Sequence, residues 1–260
     1  MLYLTYSQYI DGMCAQYQRI IGIIALAESY GCTYLHTPIK QMEHVSQDEI
    51  VEIEIFLQIN SYYKKEDSII FNCVHHVSNM EIESAILHFK SQSNTTNTLL
   101  MINNPLAILD ANIQLYNKVM PMLRNIKKGR DLIYFNKNAI NIAVHIRRGD
   151  VSKSRYPDRY LPTSYFKPII DKLLLQFPGA NVCIFTEITP ENREEFNIFT
   201  NIKIISGGDV LITFEHLSKA DILITSKSSF SYVAALYNEN TVLYTNFWHK
   251  PLPHWKLLSL

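Results

Sequence analysis

The sequence has few cysteines, no excess charge of either sign and no apolar run long enough to cross a membrane. Each absence removes a class of protein. Four cysteines occur in 260 residues, Cys14, Cys32, Cys73 and Cys183. None forms a Cys-x-x-Cys pair and their neighbours are mostly apolar, so they read as reduced core thiols rather than a disulfide frame or zinc site. The 24 Lys and Arg balance 24 Asp and Glu, so bulk electrostatics supports neither a nucleic-acid nor an acidic-membrane partner. A local basic site stays open. The longest early apolar run, IIGIIALA at 20–27, is bracketed by Arg19 and Glu28 and is far too short to span a bilayer. Residues 1–13 have no basic n-region and no h-region. The expectation is a soluble cytoplasmic protein, in which the sequon Asn94-Thr95-Thr96 is a chance match.

What is present is a strong core signal, with 47% hydrophobic and 12% aromatic residues. Strand-like stretches stand at 3–7, 33–38, 68–74, 98–103, 140–146, 181–187, 203–206, 221–225 and 241–246. Helical patterns alternate with them. One ends at Gly31, and another runs over 47–63 behind a capping box of Ser46 and Glu49. A long one reaches from Pro105 to about Lys128. Later ones follow Thr163, start at Thr189-Pro190-Glu191, and cover 210–219 and 229–238. Apolar strands without polar alternation, each followed by a helix, indicate α/β architecture with parallel sheets covered on both faces. Two such blocks predict two Rossmann-like domains facing across a cleft, 1–130 and 131–246, joined through NIKKGRDL at 125–132.

Residues 145–150 read HIRRGD, directly after the apolar run 140–144. Two arginines, a histidine and an aspartate therefore stand where an interior strand ends. In open α/β sheets, ligands bind at the carboxyl ends of strands. Guanidinium forks match phosphate oxygens in pairs, each charge-assisted bond contributing roughly 1.5–3 kcal/mol, and Asp150 can hold one arginine in place. A diphosphate is the natural partner, with a structural ion cluster as the plain alternative. The embedded Arg-Gly-Asp is not read as an adhesion loop, which belongs on an exposed hairpin tip. A second segment, 217–246, runs from a helix end through a buried strand and a hydroxyl-rich turn into a helix. Ser228, Ser229 and Ser231 lie at that helix N-terminus, where N–H groups and the helix dipole favour anions. An ordinary N-cap accounts for one serine but not for the cluster.

His-x-Arg-Arg-x-Asp (145–150), followed by Ser-Ser-Phe-Ser (228–231) and a small-residue helix, resembles the fucosyltransferase superfamily. That group holds the α1,2-, α1,6- and protein O-fucosyltransferases, which use GDP-fucose on a GT-B scaffold. SKSSFSYVAAL (226–236) is most similar to the α1,2 group, which has asparagine where Lys227 stands and tryptophans near Tyr232 and Val233. The stretch 12–31 resembles the family's glycine-rich loop and helix; Gly12 and Gln16 match, while Cys14 replaces a glycine and Ala15 an asparagine. The resemblance covers most of the second half and only that loop of the first.

The resemblance implies an inverting transfer of L-fucose from GDP-fucose to a glycan hydroxyl. Arg147 and Arg148 would hold the β-phosphate. His145 would contact the nucleotide or order the arginines, and Asp150 would fix the motif. Ser228, Ser229 and Phe230 would line the phosphate and ribose region, with Gly12 and Gln16 closing over the donor. Thr213 falls where the family often reads guanine with an acid; Asp209 or Glu215 would serve after a register shift. No Asp-x-Asp occurs, and paired arginines can stabilise the leaving group electrostatically, so neither metal nor other cofactor is expected. The α1,6 relatives' glutamate is replaced by Arg155, leaving Asp11 as the base candidate, Asp158 as the second, or no protein base. His75-His76 and His249 with His254 read as structural rather than as metal ligands, and His36 as a cleft residue. The tail 247–260 is expected to be a helix packing back on the first domain, its aromatic stretch 247–255 serving the core, with sugar stacking the alternative. A non-catalytic nucleotide-sugar-binding protein of the same fold is the competing class. Acceptor, linkage and oligomeric state leave no mark in the sequence.

Overall fold

A computed structural model describes residues 1–43, 45–92 and 96–258. The sequon at Asn94 lies outside the described residues. The chain divides into two compact units, Met1–Gly129 and Arg130–Leu260, and both are α/β. In chain order the first holds β1 (Leu2–Tyr6), α1 (Met13–Tyr30), β2 (Thr33–Tyr34), α2 (Gln47–Leu57), α3 (Ile59–Tyr62), β3 (Cys73–Val77), α4 (Ile82–Gln92), β4 (Thr98–Ile102), α5 (Leu106–Ala111) and α6 (Leu115–Ile126). The second holds β5 (Asn141–His145), α7 (Thr163–Gln176), β6 (Asn181–Thr186), β7 (Lys203–Ser206), α8 (Val210–Lys219), β8 (Ile222–Ile224), α9 (Ser229–Tyr237), β9 (Thr241–Tyr244) and β10 (Lys256–Leu257). Among the described residues no helix is long and apolar enough to cross a membrane.

The first sheet has the order β2-β1-β4-β3, with every pairing parallel. Helix α1 is apolar on nearly all sides and is buried over most of its length. It stops at Gly31, whose φ of 60° lets its N–H reach the Ala27 carbonyl. The Ser46–Glu49 capping box forms as its spacing predicts. The expected helix 47–63 breaks at Gln58, which takes φ 58°, and the expected helix 105–128 breaks between Ala111 and Leu115. The strand expected at 68–74 is displaced to Cys73–Val77. Ile69 and Phe71 still pack on the small core around Tyr3, Leu35 and Leu99, but they do so from an irregular segment. Their apolar character is explained without strand pairing.

The second sheet has the order β10-β9-β8-β5-β6-β7, again parallel throughout. Its core joins Ile142 and Val144 of β5, Ile184 of β6, Ile222 and Ile224 of β8, and Phe166 and Ile170 of α7. Each such side chain contributes roughly 1.5–3 kcal/mol by leaving water. The chain winds outward from β5 in one direction through β6 and β7, then returns to β8 and winds outward the other way. The strand order therefore reverses between β5 and β8, the position where doubly wound sheets bind ligands.

The tail departs from expectation. In place of a helix packed on the first unit, Lys256 and Leu257 pair with Leu243 and Tyr244 as an added edge strand of the second sheet. Trp255 is buried with its ring 5.5 Å from Tyr232 and 5.4 Å from Tyr244. Pro251 and Pro253 remove two helix donors, and β9 would otherwise present an open edge. The start expected at Thr189-Pro190-Glu191 produces only a 3-10 turn, Arg193–Phe196.

Candidate functional site

The loops leaving β5 and β8 flank the reversal point of the second sheet, and they carry HIRRGD and SKSSFS. Strand β5 pairs as far as His145, after which the Ile146 N–H still bonds the Phe185 carbonyl at 3.0 Å. The Arg147 N–H then turns to Ser226 Oγ at 3.3 Å, tying the two loops together. Gly149 takes φ 81°, and a side chain there would run into the Glu187 carboxylate. Only glycine lets the loop turn this tightly beside β6.

Asp150 grips the Arg147 fork at both ends, receiving Nε–H at 3.2 Å and Nη2–H at 2.5 Å. The remaining nitrogen, Nη1, donates to Ser228 Oγ at 3.3 Å across 81 residues of sequence. Ser228 is the N-cap of α9 and also receives the Phe230 N–H at 3.2 Å. Ser231 Oγ receives the Ser226 N–H at 3.1 Å and donates back to the Ser226 carbonyl at 3.2 Å, so the turn is fastened from within. Ser229 and Phe230 are half-buried at the first turn. A guanidinium and a helix N-terminus thus converge on one place, and both favour an anion.

The two arginines, expected to share one role, are separated by the fold. Arg148 points inward, its side chain only 2% exposed. Its Nη1 donates to the Arg147 carbonyl at 2.8 Å, and its Nη2 to the Leu161 carbonyl and Glu195 Oε2, both at 2.9 Å. Its guanidinium lies 4.4 Å over the Tyr160 ring, and the Tyr160 hydroxyl donates to the same Glu195 carboxylate. Arg148 therefore anchors the loop beyond Gly149 to the 3-10 turn and does not open onto the cradle. Glu195, Tyr160 and Ser226 are the partners that sequence reasoning did not single out. Ser226 lay inside the quoted hydroxyl cluster, whereas nothing near Glu195 marks it.

His145 has its ring 5.5 Å from Phe230, and its Nδ1 is buried without a hydrogen-bond partner. Burial first, then the Arg147 charge, push its pKa from 6.5 down to about 3, against a weaker opposing pull from Asp150. The imidazole is neutral. Between those two values the unfolded chain takes up a proton that the native ring refuses, so His145 lowers stability as pH falls. Urea unfolding at about pH 7 and pH 5 is expected to show a larger acid loss in wild type than in His145→Asn; an equal loss contradicts a buried neutral ring.

The proposed guanine readers are placed differently. Asp209 caps α8, receiving the N–H groups of Leu211 at 2.7 Å and Ile212 at 3.1 Å. Glu215 is buried, and Thr213 is half-buried on the same helix. Asp209 is thus explained by the helix start alone.

In the first unit, Gly12 is the N-cap of α1 and lies in the loop after β1, beside the sheet's own reversal between β1 and β4. Gln16 is fully buried; its amide nitrogen donates to the Asp11 carbonyl at 2.9 Å and the Gln41 carbonyl at 2.8 Å, and its oxygen receives the Tyr6 hydroxyl at 3.3 Å. It shapes the loop from inside, so the expected direct donor contact is corrected. Asp11 pairs with Arg19 at 2.9 Å and receives the Gly12 N–H at 2.9 Å. His36 is buried between Glu54 at 2.9 Å and the Tyr34 hydroxyl at 3.0 Å, a core role in place of the expected cleft role. His75 stacks on Phe89 at 4.4 Å. Among the described residues no three His, Cys, Asp or Glu side chains are grouped as metal ligands.

No protein-family model matches the chain, and no curated protein matches it. Among solved structures it is similar to POFUT1 in complex with GDP-fucose, at 8% identity and a TM-score of 0.46, covering 92% of this chain and 94% of that one. It is similar to fucosyltransferase NodZ from Bradyrhizobium, at 13% identity and a TM-score of 0.44, covering 94% of each chain. It is also similar to E. coli heptosyltransferase WaaC with ADP-2-deoxy-2-fluoro heptose, at 11% identity and a TM-score of 0.45, covering 98% of this chain and 92% of that one.

Proposed function

We propose that the chain is a glycosyltransferase of the GT-B type that transfers L-fucose from GDP-fucose to a glycan hydroxyl, with inversion and without a metal. One observation carries the reading. At the reversal point of the second sheet, a guanidinium held by Asp150 meets the N-terminus of α9 at Ser228, 3.3 Å from Arg147 Nη1. That pair of positive ends fits the two charges of a nucleoside diphosphate. The choice of GDP and fucose rests on the resemblance of HIRRGD and SSFS to the fucosyltransferases.

In the proposed step the acceptor oxygen bonds the anomeric carbon as the bond from that carbon to the β-phosphate oxygen breaks. The electron pair leaves with GDP, and Arg147 and the α9 terminus stabilise the growing negative charge. Arg148 acts as a positioning residue by anchoring the loop that carries Arg147. Of the carboxylates considered as base, Asp11 is already engaged by Arg19 and the Gly12 N–H. Asp158 is exposed, and its main chain is pinned to the α9 turn by Lys227 Nζ at 2.9 Å. The acceptor proton is assigned to Asp158.

The engaged state of Asp11 favours one second reading, donor binding without transfer. A ligand panel separates the two. GDP and GDP-fucose are expected to raise the melting temperature while UDP and CMP do not. Over a panel of glycans, GDP-fucose is expected to release GDP, and Asp158→Asn to slow that release by about a hundredfold or more. No response to GDP refutes the donor assignment; a response without release supports the second reading.

A further inference from the structure

Beside the cradle, in the same unit, lies a charged aromatic patch that the donor site does not use. Its residues come from the carboxyl-end loops of adjacent strands. Tyr156 and Arg159 follow β5, Lys227 follows β8, and Trp248 follows β9. Lys227 directly precedes the Ser228 cap, and its bond to the Asp158 carbonyl fixes the β5 loop beside the α9 turn. The patch is therefore continuous with the place where the diphosphate would sit.

Arg159 is held between two rings, its guanidinium 5.0 Å over Tyr156 and 4.9 Å over Trp248. Among the described residues it has no ion pair, and its Nε is buried without an acceptor. Aromatic rings engage the face of a guanidinium and leave its in-plane N–H groups as the donors that can meet an oxyanion. Arg155 lies 5.7 Å over Tyr156, adding a second positive charge. Both ring residues are partly exposed, Tyr156 at 46% and Trp248 at 51%, although the Trp248 ring also packs on Phe247 at 3.7 Å. Tyr156 also takes φ 58°, a left-handed backbone that bulky residues rarely adopt.

An unpaired fork rimmed by exposed aromatic rings suits a sugar that carries a charge. The apolar face of a pyranose meets the rings, and its carboxylate or phosphate meets Arg159. Resting on the transferase reading above, we propose that Tyr156, Arg159 and Trp248 form the acceptor subsite and that the acceptor is an anionic saccharide. Asp158, next to Arg159 in the loop, then faces the hydroxyl that attacks.

The test is calorimetry on the full chain with GDP present, titrating methyl β-glucuronide, methyl β-glucoside, glucose 6-phosphate and inorganic phosphate. Both charged sugars are expected to bind at least about tenfold tighter than the glucoside, and whichever binds tighter identifies the carboxylate or the phosphate as the natural charge. Arg159→Gln is expected to remove that preference, Arg159→Lys to keep part of it, and both to keep the GDP-induced rise in melting temperature. Should Arg159→Gln fail to fold, Trp248→Ala, at an exposed position, carries the same expectation of a reduced preference. Equal binding of glucuronide and glucoside overturns the proposal, as does a preference that survives in Arg159→Gln. Inorganic phosphate binding as tightly as glucose 6-phosphate reduces the patch to a bare anion site and also overturns it. Loss of the GDP response in Arg159→Gln moves the residue to the donor. Absence of that response in wild type refutes the donor reading separately.

Discussion

The Arg147→Ala variant is expected to fold and to lose its response to GDP. Arg147 and its partner Asp150 are each about a quarter exposed, at 23% and 25%, and ion pairs in that setting contribute only about 0–1 kcal/mol to stability. Ligand binding is another matter. At a hundred times its dissociation constant a ligand stabilises the native state by roughly 2.7 kcal/mol. Two charge-assisted bonds from a fork contribute enough that their loss weakens affinity by about a hundredfold. At the same GDP concentration the stabilisation then falls to about 0.4 kcal/mol. Thermal unfolding with and without GDP reads this directly, and an undiminished shift in Arg147→Ala would place the phosphates elsewhere.

Glu195→Ala is expected to give the opposite pattern, a large loss of stability with GDP binding retained. Removing one partner of a buried pair costs about 3–5 kcal/mol because the other charge stays buried and uncompensated. Glu195 is 29% exposed, and Arg148 keeps its bonds to the Leu161 and Arg147 carbonyls. The expected cost is therefore smaller, roughly 2–3 kcal/mol. Pairing it with Arg148→Met removes the stranded charge and is expected to restore part of that loss. Urea unfolding of the single and double variants checks both numbers. If Glu195→Ala costs almost nothing and Arg148→Met abolishes the GDP response, Arg148 is a ligand contact and not an anchor.

Much of the second unit was legible because its signals are local. The apolar run ending in HIRRGD could only be a buried strand with charge at its mouth, and α8 spans Val210–Lys219 just where its pattern places it. The hydroxyl cluster at 226–231 marked the start of α9. What stayed hidden depends on partners far apart in sequence. Nothing local distinguishes Arg147 from Arg148. Their roles divide because Glu195, 47 residues on, meets Arg148 and leaves Arg147 to Asp150 and Ser228. Gln16 matched a family position, yet the carbonyls of Asp11 and Gln41 consume its amide protons. The tail misled for a physical reason as well: Trp255 does serve a core while Trp248 stays exposed, and Pro251 and Pro253 shape the tail as an extended segment that supplies an edge strand. The Tyr156–Arg159–Trp248 sandwich joins segments 89 residues apart, counted from 159 to 248, and no periodicity announces it.

The central claim is that Arg147 and the α9 terminus hold a diphosphate. Calorimetric titration of the full chain with GDP and then GMP, at one fixed salt concentration, tests it most directly, because the two ligands differ only in the β-phosphate. The account predicts that GDP binds at least about tenfold tighter than GMP and that Arg147→Ala removes most of the difference. Equal affinity for GDP and GMP, or a difference that survives in Arg147→Ala, would contradict it.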